Sequence, residues 1–405
     1  MTDPKKRVLI LGGGFGGVKT ALRLSHHNDY DITLLSDNED FRYYPALYRS
    51  ATGGRRMASV IPLAQIFRNK PVTLLHEKAT KLHRDTKQIE TESGTSIPYD
   101  ILVIALGSVT NYFGIEGLPE YSYGIKTIDE AETFKNHLHK QMLDEHKPDL
   151  NYVVVGGGPT GVELAGELPH YIRWIMKHHG MEHKNVNVEL VEAAPRLLPR
   201  MPEDLSEAVA KHLQKEGVKL FLGTTVQNET ADALVINGRP IESHTVIWTA
   251  GTASSPFLAD NGFTLVHGKV EVDEYLRPKN EATHDIYIIG DNALTEYSGM
   301  AQTALYDAIY LADHLHRVAH NKPPRLHKAK KPIYVFPAGR HWSAVLWGSV
   351  RLYGWLGWIL RQAADWVGYH DLEPWWKASE LTMAEMGNEE SCPVCNKKNH
   401  TEEPA

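Results

Sequence analysis

The chain has 405 residues, with 43 Lys and Arg against 50 Asp and Glu and a formal net charge of −7. That length predicts two or three domains of about 150 residues each, and 42 % hydrophobic with 23 % charged residues excludes a disordered or collagen-like chain. A mean hydropathy of −0.35 excludes a polytopic membrane protein, the acidic balance argues against a nucleic-acid binder, and two cysteines exclude a disulfide scaffold.

The first seven residues are followed directly by a four-residue apolar run and then by glycines, too short for a secretory signal. The main body is therefore expected in the cytoplasm. Residues 8–11 predict a buried strand, Gly12-Gly13-Gly14-Phe15-Gly16-Gly17 a turn, and residues 18–25 a helix. Gly12, Gly14 and Gly17 fill the G-x-G-x-x-G spacing in the strand–turn–helix setting that gives the pattern meaning. The first glycine permits the tight turn, the second lets a pyrophosphate approach the backbone, and the third lets the helix lie close. The N–H groups at the helix start then face the anion. A second strand over 32–35 leads to Ser36 and Asp37, either of which could contact a ribose. Residues 41–48, with Tyr43, Tyr44 and Pro45, follow as an aromatic loop, and residues 99–107 predict a buried strand ending at Gly107.

The pattern then recurs. A strand over 152–155 runs into Gly156, Gly158 and Gly161, with a helix from Val162 onward. The strand over 188–191 ends at Glu192, placed for a ribose diol; nearby Arg196 would suit a 2′-phosphate, but the carboxylate would repel one and favours NADH. Glu163 and Glu167, four apart, share one face of the intervening helix. The competing reading is a solvated helix surface. Residues 245–251 repeat the glycine-ended strand at Gly251, and residues 286–290 do so again, followed by Asp291. Two such turns predict two bound dinucleotides in an α/β fold. Two Rossmann-like domains are expected, the second inserted in the first: residues 1–115 and 265–330 for one, and 116–264 for the other.

Together these residues resemble the two-dinucleotide flavoprotein reductases, and within them the type II NADH dehydrogenases, over roughly residues 7–370. The most specific pieces are the run from Gly156 to Leu168, Trp248-Thr249-Ala250-Gly251, Gly290-Asp291 and the Ala301-Gln302 helix start. The resemblance implies non-covalent FAD at the first glycine turn and NADH at the second. It implies Asp291 beside the FAD ribityl or pyrophosphate, and Ala301 and Gln302 near the flavin. Gln302 would also stand near a quinone, and Glu163 would steer protons to it. The loop 41–48 with Tyr43 and Pro45 is placed to cover the isoalloxazine, a plain hydrophobic loop being the competing reading. Tyr306 stands where the family commonly carries a second glutamine, and its phenol would hydrogen-bond a quinone carbonyl or, on the competing reading, simply pack; Ala105-Leu106-Gly107 replaces the family's A-T-G, and Ser36 replaces its usual ribose acid. The implied activity passes hydride from NADH to FAD and two electrons to a membrane quinone, without proton pumping. A soluble reductase for a ferredoxin- or rubredoxin-like acceptor, or a flavoprotein resembling apoptosis-inducing factor, are the alternatives.

Seven of the nine tryptophans fall between Trp342 and Trp376. Arg351 and Arg361 interrupt that segment, leaving apolar runs far short of the about 20 residues needed to span a bilayer. Trp347, Trp355 and Trp358, with Val350 and Leu352, are expected to crowd one face of an amphipathic helix lying on a membrane surface, its arginines toward anionic lipid. A dimer interface is the competing reading. Residues 331–390 are thus expected to serve membrane association or homodimerisation, at the cytoplasmic face of the cell membrane, with residues 391–405 a polar tail. Cys392, Cys395 and His400 fall one ligand short of a zinc site, and the 22 histidines show no H-E-x-x-H spacing, so no metal is assigned.

Overall fold

Alternation along the buried strands decides the layering. The computed structural model describes residues 5–144, 148–281 and 284–388. Five parallel strands form one sheet in the order Ile286–Ile288, Ile101–Ile104, Lys6–Leu11, Tyr30–Ser36 and Val72–His76. Val8 and Ile10 face one core with the helices Phe15–Leu24 and Ala301–Ala319, while Leu9 and Leu11 face another with Phe257, Leu258 and Phe263. Both faces are covered, which is the usual condition of a parallel sheet and the reason these strands read as continuous apolar runs.

The second sheet repeats the plan with four parallel strands, Val218–Leu222, Asn187–Glu192, Asn151–Val155 and Thr245–Trp248. Tyr152 and Val154 pack with the helix Pro159–His178, and Val153 and Val155 pack with Val246 and Trp248. Every strand of this sheet falls between two segments of the first sheet's chain. A short antiparallel pair, Ser108–Thr110 with Thr252–Ser254, runs side by side at the two crossings. In each unit the helix starts inside the glycine turn, at Phe15 and at Pro159, earlier than the expected Val18 and Val162. The first turn of a helix needs no intrahelical partner for its N–H groups, so the third glycine can sit within it.

The C-terminal segment departs from expectation. Trp347, Val350 and Leu352 do not lie on a helix: Tyr334–Pro337, Ser343–Trp347 and Val350–Leu352 form an antiparallel sheet, and only then do the helices Trp355–His370 and Trp375–Met386 follow. The β-branched and aromatic residues of this stretch satisfy a hairpin as readily as a helix face. Phe336, Ala338, Ala344 and Leu346 join the core of the second sheet, and Trp342 stacks on His212 at 4.2 Å. Tyr369, Leu372, Ala378, Leu381 and Ala384 join the core of the first. The segment is thus a brace across both units. It still presents an apolar outer surface, with Trp355 61 %, Trp375 62 % and Trp376 60 % exposed beside Leu356, Val367 and Met383. Among the described residues no helix is long and apolar enough to cross a membrane. Cys392, Cys395 and His400 lie outside the described residues.

The brace touches the helix Pro159–His178 at Gly166, where a Cβ would stand 2.4 Å from the backbone of Ala338 and Gly339. Helix propensity alone would make Gly166→Ala stabilising by about 1 kcal/mol. The clash reverses the sign, and we expect a net loss of about 1–3 kcal/mol, as for overpacked cores, in urea unfolding of the G166A variant.

Candidate functional site

The two glycine turns lie at the carboxyl ends of the central strands, and their steric demands are the same. Gly12 and Gly156 have φ of +108° and +116°. A Cβ on Gly17 would stand 1.9 Å from the Gly12 carbonyl oxygen, and one on Gly161 1.8 Å from that of Gly156. The middle glycines differ: a Cβ on Gly14 or Gly158 would meet nothing within 4 Å. Outer glycines are required by the fold itself, whereas the middle ones leave an open backbone face. Gly14 and Gly158 are also the caps of their helices, with no side-chain cap and no acid in the first turn. Uncapped N–H groups at the positive end of a helix form a ready site for a pyrophosphate.

Around the first turn, Ser36 is buried and its hydroxyl donates to the Asn38 carbonyl at 2.8 Å, while Asp37 is exposed and accepts from the Asn38 amide at 2.5 Å. Ser36 Oγ lies 2.6 Å from where a Cβ of Gly13 would stand. Glu192 holds the matching place in the second unit, accepting from the N–H groups of Gly157 at 2.5 Å and Ala194 at 2.7 Å. Arg196 turns away from the turn: its Nη1 donates to the Met201 carbonyl at 2.7 Å and Ser206 Oγ at 2.8 Å, and its Nη2 to the Pro199 carbonyl at 2.6 Å.

Gly107 (φ +65°) borders open space, and its carbonyl accepts from Asn292 Nδ2 at 2.7 Å. Gly251, by contrast, is closely packed, with Asn111 O 2.3 Å from where its Cβ would be. Asp291 accepts from Ser108 Oγ at 3.0 Å, which in turn accepts from Lys126 Nζ at 2.8 Å. Burial pushes the Lys126 and Lys269 ammonium groups down, and the Asp291 carboxylate partly restores both. The buried Asn292 Oδ1 has no hydrogen-bond partner. An open glycine cradle, a carboxylate and an unmet acceptor for hydroxyl groups, and two nearby ammonium groups fit FAD.

The helix Ala301–Ala319 starts beside this group without a side-chain cap, and Gly290 N–H donates to its Asp307 at 3.0 Å. Gln302 Oε1 accepts from Ile333 N–H at 2.8 Å, and Lys330 Nζ lies 4.5 Å from the centre of the Tyr306 ring. Gln302 and Tyr306 therefore share a face beneath residues 330–333. Burial raises the Tyr306 phenol above its usual range, so it is a neutral hydrogen-bonding group. Tyr43 turns inward, stacking on Tyr369 at 4.1 Å and donating to Asp365 Oδ1 at 3.0 Å, with Phe15 on its other side.

Arg361 corrects the sequence reading most sharply. Rather than facing lipid it is buried, 6 % exposed. Its Nη2 donates to the Pro45 carbonyl at 2.8 Å, its Nε to Asp365 Oδ2 at 2.5 Å, and it lies 3.7 Å from Glu163 and 3.8 Å from Glu385. Arg351 faces Asp204 at 2.6 Å. Glu163 and Glu167 are not a solvated surface either: Glu167 pairs with Arg49 at 3.1 Å, and Glu163 keeps 12 % side-chain exposure. Desolvation pushes the Glu163 carboxyl up to about 8, against the pull of Arg361. It raises Asp365 and Glu385 as well. Arg361, and Arg49 beside Glu385, only partly offset this, so all three carboxyls stay raised. The i,i+4 spacing of Arg361 and Asp365 was the available signal for this pair.

The sequence profile of the pyridine nucleotide-disulphide oxidoreductases matches residues 6–311. The type II NADH:quinone oxidoreductase of Staphylococcus haemolyticus is 30 % identical over 305 residues, 72 % of this chain and 75 % of that protein. The Staphylococcus aureus protein of the same description is 28 % identical over 305 residues with the same coverage. The structure of NDH2 from Plasmodium falciparum in complex with NADH matches with a TM-score of 0.84 at 19 % identity, over 94 % of this chain and 97 % of that one. The sulfide:quinone oxidoreductase of Aquifex aeolicus matches with a TM-score of 0.77 at 20 % identity, over 93 % and 92 %. At such identities these two structures speak for the fold alone. The chain belongs to the pyridine nucleotide-disulphide oxidoreductases and, among them, to the type II NADH:quinone oxidoreductases. It is an NADH dehydrogenase, and both its cysteines lie beyond the matched residues.

The raised Glu163 carboxyl fixes a pH dependence. A folded-state value above the unfolded one means that the folded chain binds more protons, so the contribution is full at low pH and is lost as pH rises through about 8. Thermal denaturation should show stability falling between about pH 5 and 8, with Glu163→Gln reducing the slope. Arg361→Met should cost about 3–5 kcal/mol at pH 8, and less at pH 6, where the stranded carboxyls take up protons.

Proposed function

We propose that the chain binds FAD non-covalently at the Gly12–Gly14–Gly17 turn and NADH at the Gly156–Gly158–Gly161 turn, and reduces a membrane quinone without pumping protons. The observation that carries this reading is the pair of matched turns, each with an open middle glycine over an uncapped helix start. Bound FAD supplies the redox chemistry, taking hydride from NADH and returning two electrons to quinone.

The protein's part is binding, charge and protons. The helix starting at Phe15 receives the FAD pyrophosphate, and Asp291 accepts from hydroxyl groups of the same cofactor, with Ser36 or Asp37 nearest the ribose. In the second unit Glu192 takes the ribose diol of NADH. Arg196, committed to the carbonyls of Pro199 and Met201, offers no fork for a 2′-phosphate, which supports NADH over NADPH. Quinone reduction by NADH consumes one proton beyond the hydride. Glu163, protonated up to about pH 8, holds such a proton at its carboxyl, and Gln302 and Tyr306 orient the quinone. The exposed Trp355, Trp375 and Trp376 support a peripheral seat on a membrane, which this reading places at the cytoplasmic face and from which the quinone enters.

Stopped-flow mixing tests the order of events. NADH should bleach bound flavin rapidly, and a short-chain quinone should then restore its colour. Gln302→Ala should slow the second step about tenfold or more and leave the first nearly unchanged, as expected where one hydrogen bond worth about 1.4 kcal/mol is lost. Fast bleaching with no quinone reoxidation would move the acceptor to a small redox protein.

Replacing Trp355, Trp375 and Trp376 by Ser should weaken vesicle binding at least tenfold in a flotation assay, since each buried indole contributes more than about 1 kcal/mol. Unchanged flotation would take the membrane seat away from this surface.

A further inference from the structure

At the opposite end of the first sheet from the glycine turn, three imidazoles crowd one carboxylate. His316 and His320 are one turn apart at the carboxyl end of the helix Ala301–Ala319, His320 being its cap residue. His27 and Asp29 come from the loop between the helix Phe15–Leu24 and the strand Tyr30–Ser36. His316 Nδ1 lies 2.7 Å from Asp29 Oδ2, and His320 Nε2 lies 3.8 Å from Asp29 Oδ1. The His27 ring stacks on His316 at 4.1 Å, and the His316 and His320 rings lie 4.3 Å apart. One ligand atom each from His27, Asp29 and His316 fall within 4.8 Å of one another.

From this geometry we infer a binding site for a divalent transition metal of the zinc class, with His27, Asp29, His316 and His320 as its four ligands. Three imidazoles and a carboxylate are the donor set of a tetrahedral zinc-class site. The outer contacts agree. His320 Nδ1 lies 2.9 Å from the His316 carbonyl, which can only accept. Nδ1 therefore carries the proton and Nε2, facing Asp29, keeps its lone pair, the arrangement that usually fixes a metal-bound imidazole. The last turn of the helix adds the negative end of its dipole beneath the cation. His27, Asp29 and His316 already converge, and His320, with its Nε2 3.8 Å from Asp29, has to swing in as the fourth donor while the ion replaces the hydrogen bond between His316 and Asp29. The bound metal would pin the carboxyl end of the helix Ala301–Ala319 to the loop that follows the first glycine-turn helix, fastening the end of this unit opposite the glycine turn.

The test is a Co2+ titration of the purified, tag-free full-length chain, read to the red of the flavin absorption. We expect the intense visible bands of tetrahedral cobalt, saturating at one ion per chain and displaced by Zn2+. Zn2+ should also raise the melting temperature of the wild type. His316→Gln, His320→Gln and Asp29→Asn should each weaken binding about tenfold or more and abolish the thermal shift, with the bound-flavin spectrum retained as the sign of folding. His83→Gln and His244→Gln, which alter histidine–acid pairs elsewhere on the surface, should change neither. Absence of tetrahedral bands, or bands that survive in both His316→Gln and Asp29→Asn, would overturn the proposal.

Discussion

A single buried guanidinium ties the molecule together. Arg361 reaches the Pro45 carbonyl on the flavin-side loop and Glu163 on the helix behind the second glycine turn, while remaining paired to Asp365 on its own helix. Burying such a charge is tolerable because Nε and Nη2 are hydrogen-bonded and anions surround the rest of the group. Burial raises all three acids above the usual carboxylate range, which favours the uptake of a proton among them. The guanidinium thus joins a C-terminal helix, the loop at Pro45 and the helix behind the second glycine turn through one local balance of charge. The Tyr43–Tyr369 stack and the Lys19–Asp371 pair at 2.6 Å fasten the same helix to the first unit from the other side.

Both units solve one problem with the same means. A strand buried on both faces must deliver its chain into a helix without covering the helix's free N–H groups. Glycine at the first and third positions makes the sharp, close turn possible, and glycine at the second keeps its face open. What differs is the partner carboxyl end: Glu192 bonds the turn itself in the second unit, whereas Ser36 takes that place in the first, with Asp37 displaced toward solvent. The polar groups beside the first turn come instead from Asp291, Asn292 and Ser108, which are distant from it in sequence.

How much of this is legible in the sequence follows from how local each cause is. The glycine turns and their strands are legible, because a positive φ and a close helix–strand approach are demands on individual residues and spacing. The tryptophan-rich segment is not, since a hairpin and an amphipathic helix both accept Trp347, Val350 and Leu352, and tertiary packing on Phe336 and Leu346 decides between them. Arg361 reads as a surface residue because its burial depends on Pro45, Glu163 and Glu385, all far away along the chain. The histidines look scattered for the same reason: the i,i+4 pair His316 and His320 is visible, but its carboxylate, Asp29, arrives from another loop.

The charge balance around Arg361 can be observed directly by infrared difference spectroscopy. The account predicts, at pH 7, the carbonyl stretch of protonated, desolvated carboxylic acid that shifts in D2O and loses intensity in Glu163→Gln, with the remainder falling further when Glu385→Gln is added. A spectrum with no such band at pH 7, or one whose band is unaffected by Glu163→Gln, would contradict it.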